Sequence, residues 1–135
     1  MQSTANESTN VERLIAVADR ILEAWNEQDV EKTVACYTKD GVYLDPNTRG
    51  AVVGHEAMRR YFTKLFGKWQ MHWSRRELFP LEGGEGSAFL WHATLTPSDG
   101  GKTVEIDGMD LAVLRGDKLR RNEVYFDRMA LFSGS

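Results

Sequence analysis

The spacing of the apolar residues changes once along this chain, near Trp69, and that change limits the fold more than any other feature. Ahead of it, Val11, Leu14, Ile15, Ala18, Ile21, Leu22 and Trp25 recur at intervals that line one face of an α-helix. Thr9 and Glu12 have capping-box spacing, in which each side chain satisfies an orphan amide, so the helix start is expected there. Asp29 is a good N-cap for a short second helix that buries Val30, Val34 and Tyr37. Lys39-Asp40-Gly41 then breaks the chain before a strand from Val42 to Asp45. A third helix fits His55 to Phe66, with Ala57, Met58, Tyr61, Phe62 and Leu65 as its stripe and Gly67 as its stop. After Trp69 the period is two. Strands are predicted from Met71 to Phe79, Ser87 to Thr96, Thr103 to Leu114 and Lys118 to Phe126, joined by turns rich in glycine and aspartate.

Three helices and a short strand followed by a four-strand meander imply an α+β domain, with helices packed on one face of an antiparallel sheet. Residues 1–10 read as a flexible leader and residues 11–132 as a single domain, large enough to bury a core without metal or disulfide staples. The strands are apolar on both faces. Leu111 and Val113 oppose Ala112 and Leu114, and Phe89, Trp91, Ala93 and Leu95 oppose Leu90, His92 and Thr94. Such a sheet needs covering twice. Three helices cover one face, and a second copy of the chain is the simplest cover for the other, so a homodimer through the outer sheet face is expected.

A net charge of -3 and a pI near 5.6 argue against nucleic acid as a partner, which needs a concentrated basic surface. The pairs Arg59-Arg60, Arg75-Arg76 and Arg120-Arg121 read as solvated edges. No segment approaches the roughly 18 apolar residues of a membrane span, and the first ten residues lack the basic start and apolar run of a signal peptide. The single cysteine, Cys36, excludes an internal disulfide, suits a reducing compartment and reads as a buried structural thiol. A cytoplasmic protein is expected. His55, His72 and His92 lack metal-ligand spacing, and Gly83-Gly84 and Gly100-Gly101 read as turn glycines rather than a phosphate loop. Neither metal nor cofactor is implied.

The run Ala24-Trp25-Asn26-Glu27-Gln28-Asp29, then Tyr37, then Asp40-Gly41-Val42-Tyr43-Leu44-Asp45-Pro46, then Gly54-His55-Glu56-Ala57-Met58-Arg59-Arg60-Tyr61-Phe62 resembles the N-terminal half of SnoaL-like and ketosteroid-isomerase-like proteins. The closing Glu123-Val124-Tyr125-Phe126-Asp127 resembles the last strand of the SnoaL-like branch. The resemblance spans residues 11 to 130. It implies an NTF2-like cone, a cystatin-like α+β roll that holds a small, mostly apolar molecule. It does not fix the chemistry, because the superfamily holds isomerases, polyketide cyclases, epoxide hydrolases, dehydratases and non-enzymes. Asp45-Pro46 matches the Asp-Pro pair whose aspartate is the base of ketosteroid isomerases, and Asp110 falls near their second, protonated aspartate. Ile21 stands where the oxyanion-hole tyrosine would be, which disfavours classical steroid isomerisation. His92, Thr94 and Val124 occupy the places of an epoxide hydrolase's Arg-x-Asp and partner aspartate, which disfavours that chemistry too.

The expected catalytic group is therefore Asp45 as base, with Asp110 and His92 orienting or donating. By strand parity Tyr43 shares a face with Asp45, and Leu90 shares one with His92 and Thr94; these faces are expected to meet in the cone with Asp110, Asn122 and Phe126. Tyr43, Tyr61, Trp69, Leu90, Asn122 and Phe126 are the expected substrate contacts. A carboxylate partly withdrawn from water is a better base near neutral pH, and a neighbouring donor can steady a developing enolate. The chemistry implied is cofactor-free proton transfer beside a carbonyl: isomerisation, aldol-type cyclisation or dehydration. The alternative is a non-catalytic ligand-binding or dimerisation domain. Among the remaining polar residues, Asp107 is expected at an edge or interface, Asp127 as a cap or salt bridge near the terminus, and His55 as a local helix cap.

Overall fold

The first helix, α1, spans Thr4–Glu27 and starts ahead of the capping box predicted at Thr9. No glycine or proline lies in residues 4–10, so nothing there stops the helix from continuing, and Thr9 and Glu12 sit inside it. The protein is described by a computed structural model over residues 4–132; residues 1–3 of the expected leader lie outside the described residues. Leu14, Ala18, Ile21, Leu22 and Trp25 form the buried stripe, as the period requires.

α1 ends at Gln28, which turns into the left-handed region at φ 52°. Its amide side chain donates to the carbonyls of Phe66 (3.0 Å) and Trp69 (2.6 Å) and accepts from the Met71 amide at 3.0 Å. Asn26 brackets Trp73 in the same way, accepting from its amide at 2.6 Å and donating to its carbonyl at 3.0 Å. These two side chains supply the ladder bonds that an edge strand lacks. That is the structural work of the Trp25-to-Asp29 run.

Asp29 caps α2 (Val30–Val34), its carboxylate accepting from the Lys32 amide at 3.0 Å. Tyr37 is buried, as expected, but from the first strand rather than from the helix. Cys36, between the two, is buried and donates to the Lys32 carbonyl at 3.4 Å; burial pushes its thiol pKa up, so it behaves as a structural thiol. Strand β1 covers Tyr37–Leu44, and Lys39-Asp40-Gly41, expected as a break, lies within it as an irregularity in pairing between Tyr37 and Val42. A side chain at Gly41 would come within 3.0 Å of the Thr38 carbonyl and 3.2 Å of the Leu119 carbonyl, so the bulge admits a Cβ only if those backbone atoms give way by a few tenths of an ångström. After β2 (Val52–Val53), α3 runs His55–Lys68. Gly67, expected as its stop, is inside the last turn; the helix ends because Trp69 turns extended and opens β3.

Strands β3 (Trp69–Pro80), β4 (Gly86–Pro97), β5 (Val104–Arg115) and β6 (Lys118–Phe126) form the predicted meander. The six-stranded sheet has the order β2-β1-β6-β5-β4-β3, antiparallel except where β1 runs parallel to β6. A short 3-10 helix, Arg128–Phe132, follows. Chemistry-bearing residues on β1, β5 and β6 therefore face the helices across one curved sheet.

Parity separated the faces of β4 correctly, but the inward face is the opposite one. Phe89, Trp91, Ala93 and Leu95 are buried in the cone, whereas Leu90, His92 and Thr94 lie on the outer face. Alternation fixes which residues share a face and not which face is covered. The aromatic set goes inward because only the helix-covered side can bury two large rings. Leu90 and His92 are thus not in the cone, contrary to expectation.

Candidate active site

Strand β5 alternates with Val104, Ile106, Asp110, Ala112 and Leu114 facing in, which puts Asp110 on the floor of the cone, 5% exposed. Its two oxygens accept separate bonds, one from the Trp91 indole at 2.8 Å and one from the Asn122 amide at 3.0 Å. Asn122 also donates to the Leu111 carbonyl at 3.1 Å and accepts from the Tyr37 hydroxyl at 2.8 Å, so all its polar atoms are engaged. Burial dominates the acidity of Asp110 and pushes its pKa up to about 6; the two donors oppose the rise and the nearby Asp45 charge adds to it. A carboxyl with one donor per oxygen keeps a lone pair free on each. It can take or give a proton near neutral pH.

Asp45 follows β1 and is half-buried. One oxygen accepts from the hydroxyls of Tyr43 (2.7 Å) and Tyr61 (2.6 Å), and the other from the amides of Asn47 (2.7 Å) and Thr48 (3.0 Å). The amide pair is the Asx turn that an Asp-Pro start favours. Four donors fill the acceptor positions of an ionised carboxylate. Burial, with the Asp45 charge behind it, pushes the pKa of both tyrosines up, so each keeps its proton and remains a donor. Asp45 therefore orients two phenols, and its acceptor positions are already taken up by four donors.

The space inside the cone is small and stepped. An inner cavity of about 10 Å³, about one water in size, lies among Ile21, Leu22, Trp25, Trp73, Val124 and Asp110. A second, of about 30 Å³, shares Trp25, Trp73 and Val124 with it and reaches Tyr43, Asp45 and Phe126. The second in turn shares Asn47, Leu65, Trp69 and Leu131 with an outer vestibule of about 460 Å³. Neighbouring cavities thus share lining residues from the vestibule to Asp110, and the innermost one also shares Leu22 and Trp73 with a second surface pocket beside α1.

Two tryptophans that sequence reasoning passed over shape the inner end of this path. Trp73 lines both inner cavities, is 8% exposed, and its indole N–H is buried without a hydrogen-bond partner. An unmet buried donor is costly, and this one borders the space that Asp110 also borders. Trp91 packs edge-on against Trp73, ring centres 4.5 Å apart, and lies across Gly108 on the paired strand. A Cβ at Gly108 would sit 2.5 Å from the Trp91 ring and 2.5 Å from the Tyr125 carbonyl. The glycine is what lets the indole lie flat enough to reach Asp110. The only sequence signal for it was a glycine inside a strand pattern, which marks close approach.

Tyr43, Tyr61, Trp69 and Phe126 border the cavities, Tyr61 and Trp69 at the vestibule, whereas Asn122 lines none of them and lies buried behind Asp110. Ile21 faces Asp110 across the inner cavity. His92, on the outer face, bridges Asp107 (2.9 Å) and Glu105 (3.1 Å), and those bonds, the Asp107 one foremost, raise its pKa. Asp127 caps the closing 3-10 helix through the Met129 amide at 3.0 Å. His55 does not cap α3; its ring meets the Tyr37 carbonyl at 2.9 Å and ties the helix to β1. Among the described residues no three His, Cys, Asp or Glu side chains cluster in a way that could hold a metal, and no helix is long and apolar enough to cross a membrane.

The SnoaL-like domain family matches residues 18–122. Solved structures with the same fold include an NTF2-like protein of Burkholderia pseudomallei, 16% identical, covering 90% of this chain and 96% of that one, with TM-score 0.78. A ketosteroid isomerase-like protein of Erwinia carotovora atroseptica is 22% identical over 84% of this chain and 92% of its own, with TM-score 0.70. SalBIII, an epoxide hydrolase/cyclase-like enzyme of pyran ring formation in salinomycin, is 20% identical over 92% and 95%, with TM-score 0.76. No curated protein matches the chain in sequence.

Proposed function

Because the chain belongs to the SnoaL-like domain family, whose members share a fold and not a chemistry, we propose a function from its own cone: cofactor-free proton transfer on a small carbonyl compound, of the isomerase or cyclase type. Asp110 is the proton-transfer group. The observation that carries this is the pairing, around one small cavity, of a buried carboxyl with its pKa near 6 and an unmet indole donor. Above pH 6 the ionised Asp110 takes a proton from the carbon beside the carbonyl. The Trp73 N–H donates to the carbonyl oxygen as it becomes an enolate oxygen, which is where a fixed donor acts most strongly. Trp91 and Asn122 hold the carboxyl in place through the transfer. Asp45 takes a positioning role, fixing the Tyr61 and Tyr43 hydroxyls along the path.

The inner space admits a carbonyl end and little more, while the vestibule is within the size range of small-molecule sites. The ligand's body therefore lies outward and its reactive end inward. The outer sheet face supports a homodimer: half-buried Leu90, Met109, Leu111 and Val113 form an apolar centre beside charges of both signs, which a two-fold copy can match to itself. Cys36 as a lone buried thiol fits a cytoplasmic setting.

Thermal-shift binding of flat apolar ketones and phenols, on wild type and Trp73→Phe, tests the site. Ketones that stabilise wild type and bind several-fold more weakly to the variant support it. Equal binding to both removes Trp73 from the chemistry, and no binding across the panel leaves the cone as a packed core.

A further inference from the structure

The vestibule at the mouth of the cone is charged with one sign only. Arg49, Lys64, Lys68 and Arg128 line it, and no carboxylate does. They arrive from three separate segments: the loop between β1 and β2, helix α3, and the closing 3-10 helix. None of the four forms an ion pair among the described residues, a state shared with Arg20, Lys39, Arg60, Lys102, Lys118 and Arg120, whereas Arg13, Lys32, Arg59, Arg75, Arg76, Arg115 and Arg121 each face a carboxylate. The nearby acid on the path, Asp45, is met by two hydroxyls and two amides and draws on none of them. In a chain of net charge -3, what sets this concavity apart is four cations gathered from three segments with no acid among them.

Local explanations cover part of this. Lys68 in the last turn of α3 complements the helix dipole. Arg128 donates to the Asn47 side chain at 2.7 Å and lies over the Phe132 ring at 5.4 Å, which holds the guanidinium in place and leaves most of its donors unused. Neither accounts for Arg49, nor for the exclusion of acids from a surface that adjoins Tyr61 and Trp69. A one-sign concave surface concentrates counter-charged ligands. The inner end carries the opposite sign above pH 6, where the buried Asp110 is anionic. An anionic group is attracted to the mouth and repelled from the floor, so the two ends orient the same molecule.

We propose that the vestibule binds the anionic group, a carboxylate or phosphate, of a ligand whose apolar carbonyl-bearing end points toward Asp110. The direction of the ligand rests on the proton-transfer reading; the anion site itself rests on the four cations. The substrate class is thereby narrowed from apolar ketones to acidic ones.

The test uses three probes with one body: 2-acetonaphthone, 6-acetyl-2-naphthoate and 6-acetyl-2-naphthyl phosphate, titrated by quenching of tryptophan fluorescence in low and high salt. Near-surface ion pairs are individually weak and salt-screened, so several together predict anionic probes binding about tenfold tighter than the ketone at low salt, falling to about twofold at high salt. The double variant Lys64→Gln/Lys68→Gln, changed only at exposed positions, loses most of that preference and keeps the ketone's affinity; Asp110→Asn keeps the preference. The tighter of the two anions identifies the natural group. Equal binding of all three probes, or a preference unmoved by salt and by the double variant, overturns the anion site and leaves the cone reading standing. If no probe binds, both fall together.

Discussion

Replacing Asp110 by asparagine separates the stability of this fold from its chemistry. Folding carries the carboxyl from its ordinary value of 3.8 up to about 6, mainly by burial. Between those values the folded chain holds a proton that the unfolded chain has released. The group therefore favours folding most below pH 3.8, and that contribution is lost as pH rises through 6. At about 1.4 kcal/mol per pH unit, the charged form costs the native state roughly 3 kcal/mol at pH 8. Asparagine has the same shape and no charge, but its amide must face one of two donors, Trp91 or Asn122, and that mismatch costs about 1–2 kcal/mol. At pH 8 the variant is expected to be more stable than wild type by about 1–2 kcal/mol, or several degrees in Tm. At pH 3.5 the order reverses. The difference between the two proteins changes by about 3 kcal/mol across that range whatever the mismatch costs, because other titrating groups cancel. Urea unfolding of both proteins from pH 3.5 to 8 measures it. A difference flat to within about 0.5 kcal/mol would show that the carboxyl is not buried as described.

Three further outcomes follow from other contacts. Gly108→Ala drives a methyl into the Trp91 ring and the Tyr125 carbonyl, so it should destabilise by about 2 kcal/mol or more and shift the wavelength of tryptophan emission. Tyr61→Phe removes one of four donors from the half-buried Asp45 and should cost about 1.5 kcal/mol in urea unfolding, the lower end for a bond to a charged group. Wild type should sediment as a dimer at equilibrium and Leu111→Arg, at the centre of the outer sheet face, as a monomer; a monomeric wild type would refute that assembly.

Most of the architecture was legible because it follows from periodicity. The change of period at Trp69 located the meander, and the β6 bounds Lys118 and Phe126 were predicted to the residue. What sequence could not give was phase. Strand β4 has two plausible apolar faces, and only the helices' position decides that Phe89 and Trp91 go in while Leu90 and His92 go out. The same ambiguity hung over Asp110, which the pairing of Asp110 with Val124 and Phe89 resolves as inward. Asp45 was legible as a special position but not as a saturated one, since two of its donors are backbone amides in its own turn and a third comes from α3. Trp73 was hidden for another reason. Its importance is an unmet bond, and a sequence records residues rather than missing partners.

On this reading Asp110 moves a proton at the carbon beside a bound carbonyl. Deuterium incorporation at that carbon, followed by NMR for the tightest-binding ketone in heavy water, tests it most directly. Exchange catalysed by wild type, rising with pH through about 6 and lost in Asp110→Asn while Asp45→Asn retains part of it, is the predicted result. Undiminished exchange in Asp110→Asn, or its complete loss in Asp45→Asn alone, would return the base to Asp45 and contradict the account.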